Sequence, residues 1–118
     1  MYISFMTPLT PAVYAILLSL ANGPRHGYAI MQEVGAHSGP TIISGPGTLY
    51  GTIDRMLKSG HIEETAAPPR ESDERRRYYR LTSAGGRALR AEAERLESSV
   101  ALAREKGVLA PAPRPART

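Results

Sequence analysis

The side chains that could do chemistry in this sequence are mainly ones suited to a polyanion. Three consecutive arginines occupy residues 75–77, and small, hydroxyl-bearing and basic residues follow a glycine-proline turn at residues 45–47. Small polar residues let a helix approach base edges, whereas arginines, hydroxyls and helix N-termini suit phosphates. The candidate contacts to nucleic acid are Arg25, His26, Tyr28, Gly47, Thr48, Tyr50, Gly51, Thr52, Arg55, Arg75, Arg76 and Arg77.

Other kinds of site are poorly supported by the residues. His26, His37 and His61 lie 11 and 24 residues apart, which is not the spacing of metal ligands on one helix, and the chain has no cysteine. A hydrolase would have to pair His26 or His61 with Asp54 or Glu63, but no nucleophile motif accompanies them. We therefore expect no catalytic residues, no metal and no cofactor.

Length and charge set further limits. The 118 residues correspond to about one domain, and the net charge of +4 makes a polyanionic partner plausible without proving it. The longest apolar run, residues 12–21, is about half of the roughly 20 residues that a membrane-spanning helix needs. No secretion signal is evident. The expectation is a cytoplasmic protein without a membrane partner.

Periodicity and cap residues predict a mainly α fold with a small β-hairpin. In chain order the predicted elements are helices over about 9–21 and 28–38, a brief β-prone stretch at 41–44, a helix over about 47–59, strands over 61–65 and 75–81, and a last helix to about 106. Thr82 or Ser83 can cap the last helix, whose first turn Gly85 and Gly86 are expected to weaken. This is the order of a winged helix-turn-helix with an added C-terminal helix.

The last predicted helix carries an apolar seam with an alternating four-three spacing. The seam comprises Leu89, Ala93, Leu96, Val100 and Ala103. A single helix cannot bury such a seam against itself, so we expect a two-fold homodimer through this helix, helped by the first helix. The predicted organisation is a winged-helix domain over residues 1–82, a dimerisation helix over 83–107 and a disordered tail of proline, alanine and arginine over 108–118.

Five motifs occur in one order along residues 9–90 and carry a resemblance to a known family. They are Tyr14-Ala15-Ile16-Leu17, Gly23-Pro24-Arg25-His26-Gly27-Tyr28, Pro46-Gly47-Thr48-Leu49-Tyr50, Gly60-His61-Ile62 and Tyr78-Tyr79-Arg80-Leu81-Thr82, with Gly86 shortly after. Together they resemble the PadR family of bacterial transcriptional regulators. The resemblance implies a third helix in the DNA major groove, a hairpin wing near the backbone or minor groove, and a C-terminal dimerisation helix. Two departures stand out: Gly51 replaces the usual proline after Tyr50, and acidic residues flank the arginines of the wing.

Residues and resemblance together predict a sequence-specific, dimeric DNA-binding regulator. The resemblance implies a repressor that an effector or a stress releases, with a possible small-molecule effector at the dimer interface. A two-fold dimer should read a pseudo-palindromic operator in double-stranded DNA. The alternative is a winged-helix module that binds proteins and no longer reads DNA, as the acidic wing suggests.

Overall fold

The fold is mainly α with a small antiparallel sheet, as predicted. The structure, a computed structural model, describes residues 8–39, 42–69 and 76–113. Its elements are α1 (Pro11–Ser19), β1 (Arg25–His26), α2 (Gly27–Ser38), α3 (Pro46–Ser59), β2 (Ile62–Thr65), β3 (Tyr78–Leu81) and α4 (Ser83–Glu105). Helices α1 to α3 and the β2–β3 hairpin, which we call the wing, form a winged helix-turn-helix.

Local capping signals explain where the helices begin and end. The Thr10 hydroxyl accepts a 3.2 Å hydrogen bond from the amide of Val13 at the start of α1. Helix α3 begins at Pro46 and ends at Gly60, whose φ of 81° is the left-handed conformation that favours glycine. Thr82 caps α4 by accepting a 3.0 Å hydrogen bond from the Gly85 amide. These signals are local, which is why the sequence predicts these helices well.

The sheet has a third strand where none was predicted. Its order is β1-β3-β2, with Arg25 opposite Tyr79 and His26 opposite Tyr78. The predicted β-prone stretch at 41–44 is wrong for its described residues, because Ile42 and Ile43 form a bend and Ile43 is buried in the core; Thr41 lies outside the described residues. Strand β1 has only two residues, too few to show an alternating pattern.

The hydrophobic core joins all three helices of the helix-turn-helix to the sheet. Its most deeply buried side chains are Ile16, Leu17, Ile30, Leu49, Ile53 and Ile62. The first half of α4 adds Ala88 and Leu89, each only 9% exposed. Leu89 was predicted to line a dimer interface, and the structure corrects this: its side chain is already packed into the core of its own chain.

Helix α4 passes very close to the start of β2. A Cβ atom built on Gly85 would lie 1.9 Å from the backbone oxygen of His61, so no side chain fits there. The Thr82 amide donates to that same oxygen at 3.1 Å, and the Thr82 hydroxyl donates to the Gly60 oxygen at 2.6 Å. The glycine that weakens the first turn of α4 is therefore what allows the helix to dock.

Helix α4 also carries one buried acid, and its C-terminal end has its own cap. Glu92 is only 6% exposed and accepts hydrogen bonds from the Arg95 guanidinium. Beyond the helix, Gly107 has a φ of 77° and the Val108 amide donates to the Ala103 oxygen at 2.9 Å. The predicted start of the tail at residue 108 thus lies within this cap.

None of the helices in the described ranges is long and apolar enough to cross a membrane.

Candidate nucleic-acid interface

The start of α3 is exposed on one side and buried on the other. Leu49, Ile53 and Met56 anchor the helix in the core, while Gly47, Thr48 and Tyr50 face solvent. Gly45 precedes the helix without a side-chain cap, and Pro46 has no amide hydrogen to donate. First-turn amides of a helix lack intrahelical acceptors and attract anions. The surface therefore combines a glycine and two hydroxyl-bearing side chains with an electropositive helix end.

Thr52 does not belong to this exposed face, although the sequence analysis placed it there. It is only 3% exposed, and its hydroxyl donates to the Thr48 backbone oxygen at 2.9 Å. The same hydroxyl accepts a 3.2 Å hydrogen bond from the guanidinium of Arg55. Thr52 thus braces Arg55, which is exposed. Gly51, directly before Thr52, is partly exposed.

The start of α2 meets the wing. His26 caps α2, with its Nδ1 accepting from the Ala29 amide at 3.1 Å, and its ring packs edge-on against Tyr78 with centroids 5.3 Å apart. Arg76 extends from the wing to this point: its Nη1 lies 3.1 Å from His26 Nδ1, and its guanidinium carbon lies 5.7 Å from the Tyr28 ring centroid. A cation over an aromatic face is attracted by the ring.

These groups surround a cleft of about 490 Å³ between α2, α3 and the wing. It is lined by His26, Gly27, Tyr28, Tyr50, Arg76 and Arg77. Five of these six residues were predicted from the sequence as nucleic-acid contacts, and the fold brings them together from segments up to 51 residues apart. Arg75, another predicted contact, lies outside the described residues.

Two of the predicted basic contacts, Arg25 and Arg77, have acidic or carbonyl partners. Arg25 donates from Nε to the Ser19 oxygen at 2.7 Å and lies 3.5 Å from Glu33, so it ties α2 to the end of α1. Arg77 is paired with Glu64, and this hydrogen bond raises the pKa of the Arg77 guanidinium. The positive charge of Arg77 is thus partly offset by its partner.

Sequence reasoning did not single out three features of this surface. Glu63 and Glu64 on β2 pair with Arg80 and Arg77, and Glu63 lies directly opposite Arg80 in the strand register. Opposite charges in two strands predicted to form a hairpin are a signal that could have found these pairs. Gly27 lies within the family motif of residues 23–28, but nothing local in the sequence indicates that its missing side chain leaves room for Tyr50.

The residues considered for a hydrolase have other partners in the structure. His61 Nδ1 lies 3.2 Å from the Ser59 hydroxyl, Asp54 pairs with Lys58 at 3.2 Å, and Glu63 accepts from Arg80 at 2.7 Å. Within residues 8–39, 42–69 and 76–113, no group of three or more histidine or acidic side chains is placed to hold a metal ion.

A family model agrees with this geometry. The model described as the transcriptional regulator PadR-like family matches residues 16–91, more than half of the chain. The chain belongs to the PadR-like family of transcriptional regulators. The predicted resemblance is confirmed, and membership in a family of regulators also confirms that this PadR-like chain is not an enzyme.

Solved structures share the PadR-like fold. A PadR family transcription regulator from hypervirulent Clostridium difficile R20291 superposes with a TM-score of 0.68 at 23% identity, over 80% of this chain and 95% of that chain. A PadR-like transcriptional regulator from Bacillus cereus strain ATCC 14579 gives a TM-score of 0.67 at 22% identity, over 79% of this chain and 87% of that chain.

One curated relative is more similar in sequence but much longer. An uncharacterized 37.1 kDa protein in transposon Tn4556 of Streptomyces fradiae is 38% identical over 78 residues. The match covers 66% of this PadR-like chain and 21% of the relative. The chain therefore spans about a fifth of the length of that protein.

Proposed function

We propose that this PadR-like transcriptional regulator binds double-stranded DNA with sequence specificity through the start of α3 and the wing. The observation that carries the proposal is the cleft at which Tyr28, Tyr50 and Arg76 meet beside the exposed first turn of α3. A helix-turn-helix inserts the N-terminal part of its recognition helix into the major groove, while neighbouring elements contact the backbone. The arrangement fits both requirements.

The candidate residues divide into two roles. Gly47, Thr48 and Gly51 are small and lie at the start of α3, so we assign them to the base edges. Basic and hydroxyl-bearing side chains suit phosphates, and to this role we assign Arg25, His26, Tyr28, Tyr50, Arg55, Arg76 and Arg77, together with Arg75, which lies outside the described residues. The buried Thr52 is assigned no DNA contact of its own and acts by holding the Arg55 guanidinium in place.

We further propose that the chain acts as a homodimer that reads a pseudo-palindromic operator. In α4, Leu96 and Val100 are 37% and 40% exposed, and Ala93 and Ala103 lie beside them on the same seam. Burial of this seam against a second copy is favourable because it removes apolar surface from water. In this proposal residues 83–107 supply the dimer contacts, residues 1–82 the DNA contacts, and the basic tail from residue 108 lies outside both.

The proposed regulation is repression that an effector or a stress relieves. A groove of about 270 Å³ lies between α1 and α4, and its lining includes Leu9, Tyr14, Ile42 and Leu96. A second copy seated on α4 would cover this groove, which makes it the candidate place for a small apolar effector. An effector that favours one arrangement of the two protomers would change their spacing and therefore the affinity for DNA.

Enrichment of genomic fragments by the purified protein, followed by fluorescence anisotropy on the recovered sites, tests the proposal. We expect binding to a recovered site to be at least about 1,000-fold tighter than to random duplex at about 0.15 M salt. Thr48→Ala should reduce this ratio, while Ser83→Ala, at an exposed residue that does not line the cleft, should not. Equal affinity for recovered and random duplexes would refute sequence-specific reading.

One observation favours a second candidate function, a protein-binding module. Two arginines of the wing, Arg77 and Arg80, are paired with Glu64 and Glu63, which reduces the positive charge offered to DNA. If no genomic fragment is enriched while a protein partner is captured reproducibly, and captured less well after Tyr28→Ala, the module is the better explanation.

A further inference from the structure

Gly27 and Tyr50 approach each other so closely that a side chain at residue 27 would displace the Tyr50 ring. Gly27 is the buried first residue of α2, and Tyr50 lies in the first turns of α3. A Cβ atom built on Gly27 would lie 2.3 Å from the Tyr50 hydroxyl oxygen, 2.6 Å from Cζ and 2.7 Å from Cε1. The edge of the phenol ring therefore rests on the bare backbone of Gly27.

The reason for glycine at this position is space rather than backbone conformation. Gly27 is not among the residues with positive φ. Glycine within a helix is less favourable than alanine, so the position is not explained by helix stability. What the missing side chain provides is a seat for the Tyr50 ring.

Tyr50 is otherwise placed for a ligand. Its side chain is 48% exposed, and among the described residues its hydroxyl makes no hydrogen bond. The seat holds that hydroxyl beside the start of α2, next to Tyr28 and Arg76 in the same cleft. In helix-turn-helix complexes the helix that precedes the recognition helix crosses the phosphate backbone.

We propose that Gly27 is a positioning residue that fixes the Tyr50 hydroxyl to donate a hydrogen bond to a DNA phosphate. The inference rests on the proposed DNA binding, in which Tyr50 contacts a phosphate rather than a base, and adds that Gly27 sets the position of its hydroxyl. Because a phosphate contact carries no sequence information, Gly27 and Tyr50 set affinity for all duplexes alike.

The test compares Gly27→Ala with Gly35→Ala, a matched change in the same helix where an added Cβ meets nothing within 4 Å. The atoms opposing a Cβ at residue 27 are the far end of a side chain, so the Tyr50 ring can move and the fold should survive. We expect Gly27→Ala to bind recovered and random duplexes about tenfold more weakly, the size of one hydrogen bond to a charged group, and Gly35→Ala to bind as the wild type does.

Tyr50→Phe should cause the same loss, because it removes only the hydroxyl. The double variant Gly27→Ala/Tyr50→Phe should lose no more than either single variant, since both act through one hydrogen bond. Losses that add in the double variant, or a loss that differs between recovered and random duplexes, would overturn the proposal. If Gly27→Ala fails to fold, Tyr50→Phe carries the affinity test.

A nuclear Overhauser effect between the Gly27 α protons and the Tyr50 ring protons provides the readout of position. We expect this effect in the wild type, and its absence would contradict the contact between the Tyr50 ring and the Gly27 backbone. If the wild type binds DNA and the Gly27→Ala and Gly35→Ala variants bind it equally well, this inference is refuted and the proposed function stands. If the wild type shows the Overhauser effect but binds no duplex, the proposed function is refuted, and the phosphate contact is refuted with it.

Discussion

The backbone amide of Leu9 donates a 3.2 Å hydrogen bond to Oε1 of Glu92, joining two residues 83 positions apart in the sequence. Glu92 is only 6% exposed, and Arg95 on the next turn of α4 also donates to its carboxylate. This buried acid links the segment before α1 to the middle of α4. It therefore fixes α4 at the point where the helix leaves the core and its exposed seam begins.

Glu92→Gln should destabilise the fold by about 1 to 2 kcal/mol at pH 7, because it weakens hydrogen bonds to a buried charged group. Chemical denaturation measures this. Glu97→Gln, an exposed change on the same helix, should stay within about 0.5 kcal/mol of the wild type. Equal stability of the two variants would contradict the role of Glu92.

The same variant should change the response to acid. The hydrogen bonds from Arg95 and Leu9 lower the pKa of Glu92 in the folded state, with the Arg95 bond the larger cause. A lowered folded pKa stabilises the protein above the unfolded value of about 4.3, and this stabilisation is lost as the pH falls through the folded value. The stability difference between wild type and Glu92→Gln should therefore shrink below about pH 4, while it stays constant between about pH 6 and 8.

Gly85 and Gly86 should respond oppositely to alanine. Gly85→Ala places a Cβ against the His61 backbone oxygen, which cannot move without shifting β2, so we expect a loss of more than about 2 kcal/mol. At Gly86 an added Cβ meets nothing within 4 Å, and alanine should stabilise α4 by up to about 1 kcal/mol. Thermal and urea denaturation of the two single variants measure the difference, and losses of equal size would contradict the close packing at Gly85.

Arg76 and Arg80 should differ in their effect on the salt dependence of DNA binding. Arg76 extends to Tyr28 at the candidate interface, whereas Arg80 pairs with Glu63 on the wing strands. Arg76→Ala should reduce the slope of log affinity against log salt by about 0.9 and weaken all duplexes alike. Arg80→Ala should leave the slope close to the wild-type value. An unchanged slope for Arg76→Ala would remove this residue from the phosphate contacts.

The exposed seam of α4 should control the oligomeric state. Leu96→Glu places a charge in the proposed dimer interface and should convert the dimer to a 12.8 kDa monomer in sedimentation at micromolar concentration. Leu102 is 50% exposed but lies away from the seam, so Leu102→Glu should remain dimeric. A wild-type protein that sediments as a monomer would refute the dimer.

Helix ends and the family motifs were readable from the sequence because their signals are local. Thr10, Thr82, Pro46 and Gly60 act through neighbouring residues, so the predicted α1, α3 and α4 agree closely with the observed helices. The periodic apolar residues of α3 likewise predicted its buried face. Most residues of the candidate interface also came from the sequence, although their contacts with DNA stay predictions.

Contacts between distant segments were decided only by the tertiary structure. Three kinds of contact depend on a partner far away in the chain or on how helices pack. They are the pairing of Arg25–His26 with β3, the burial of Thr52 and Leu89, and the close approaches to Gly27 and Gly85. The sequence by itself determined the fold class and the family, because cap residues, periodicity and motifs are written along the chain. Only the packed chain decided which polar side chains remain available and which glycines must lack a side chain, because both depend on atoms brought within a few ångströms from elsewhere.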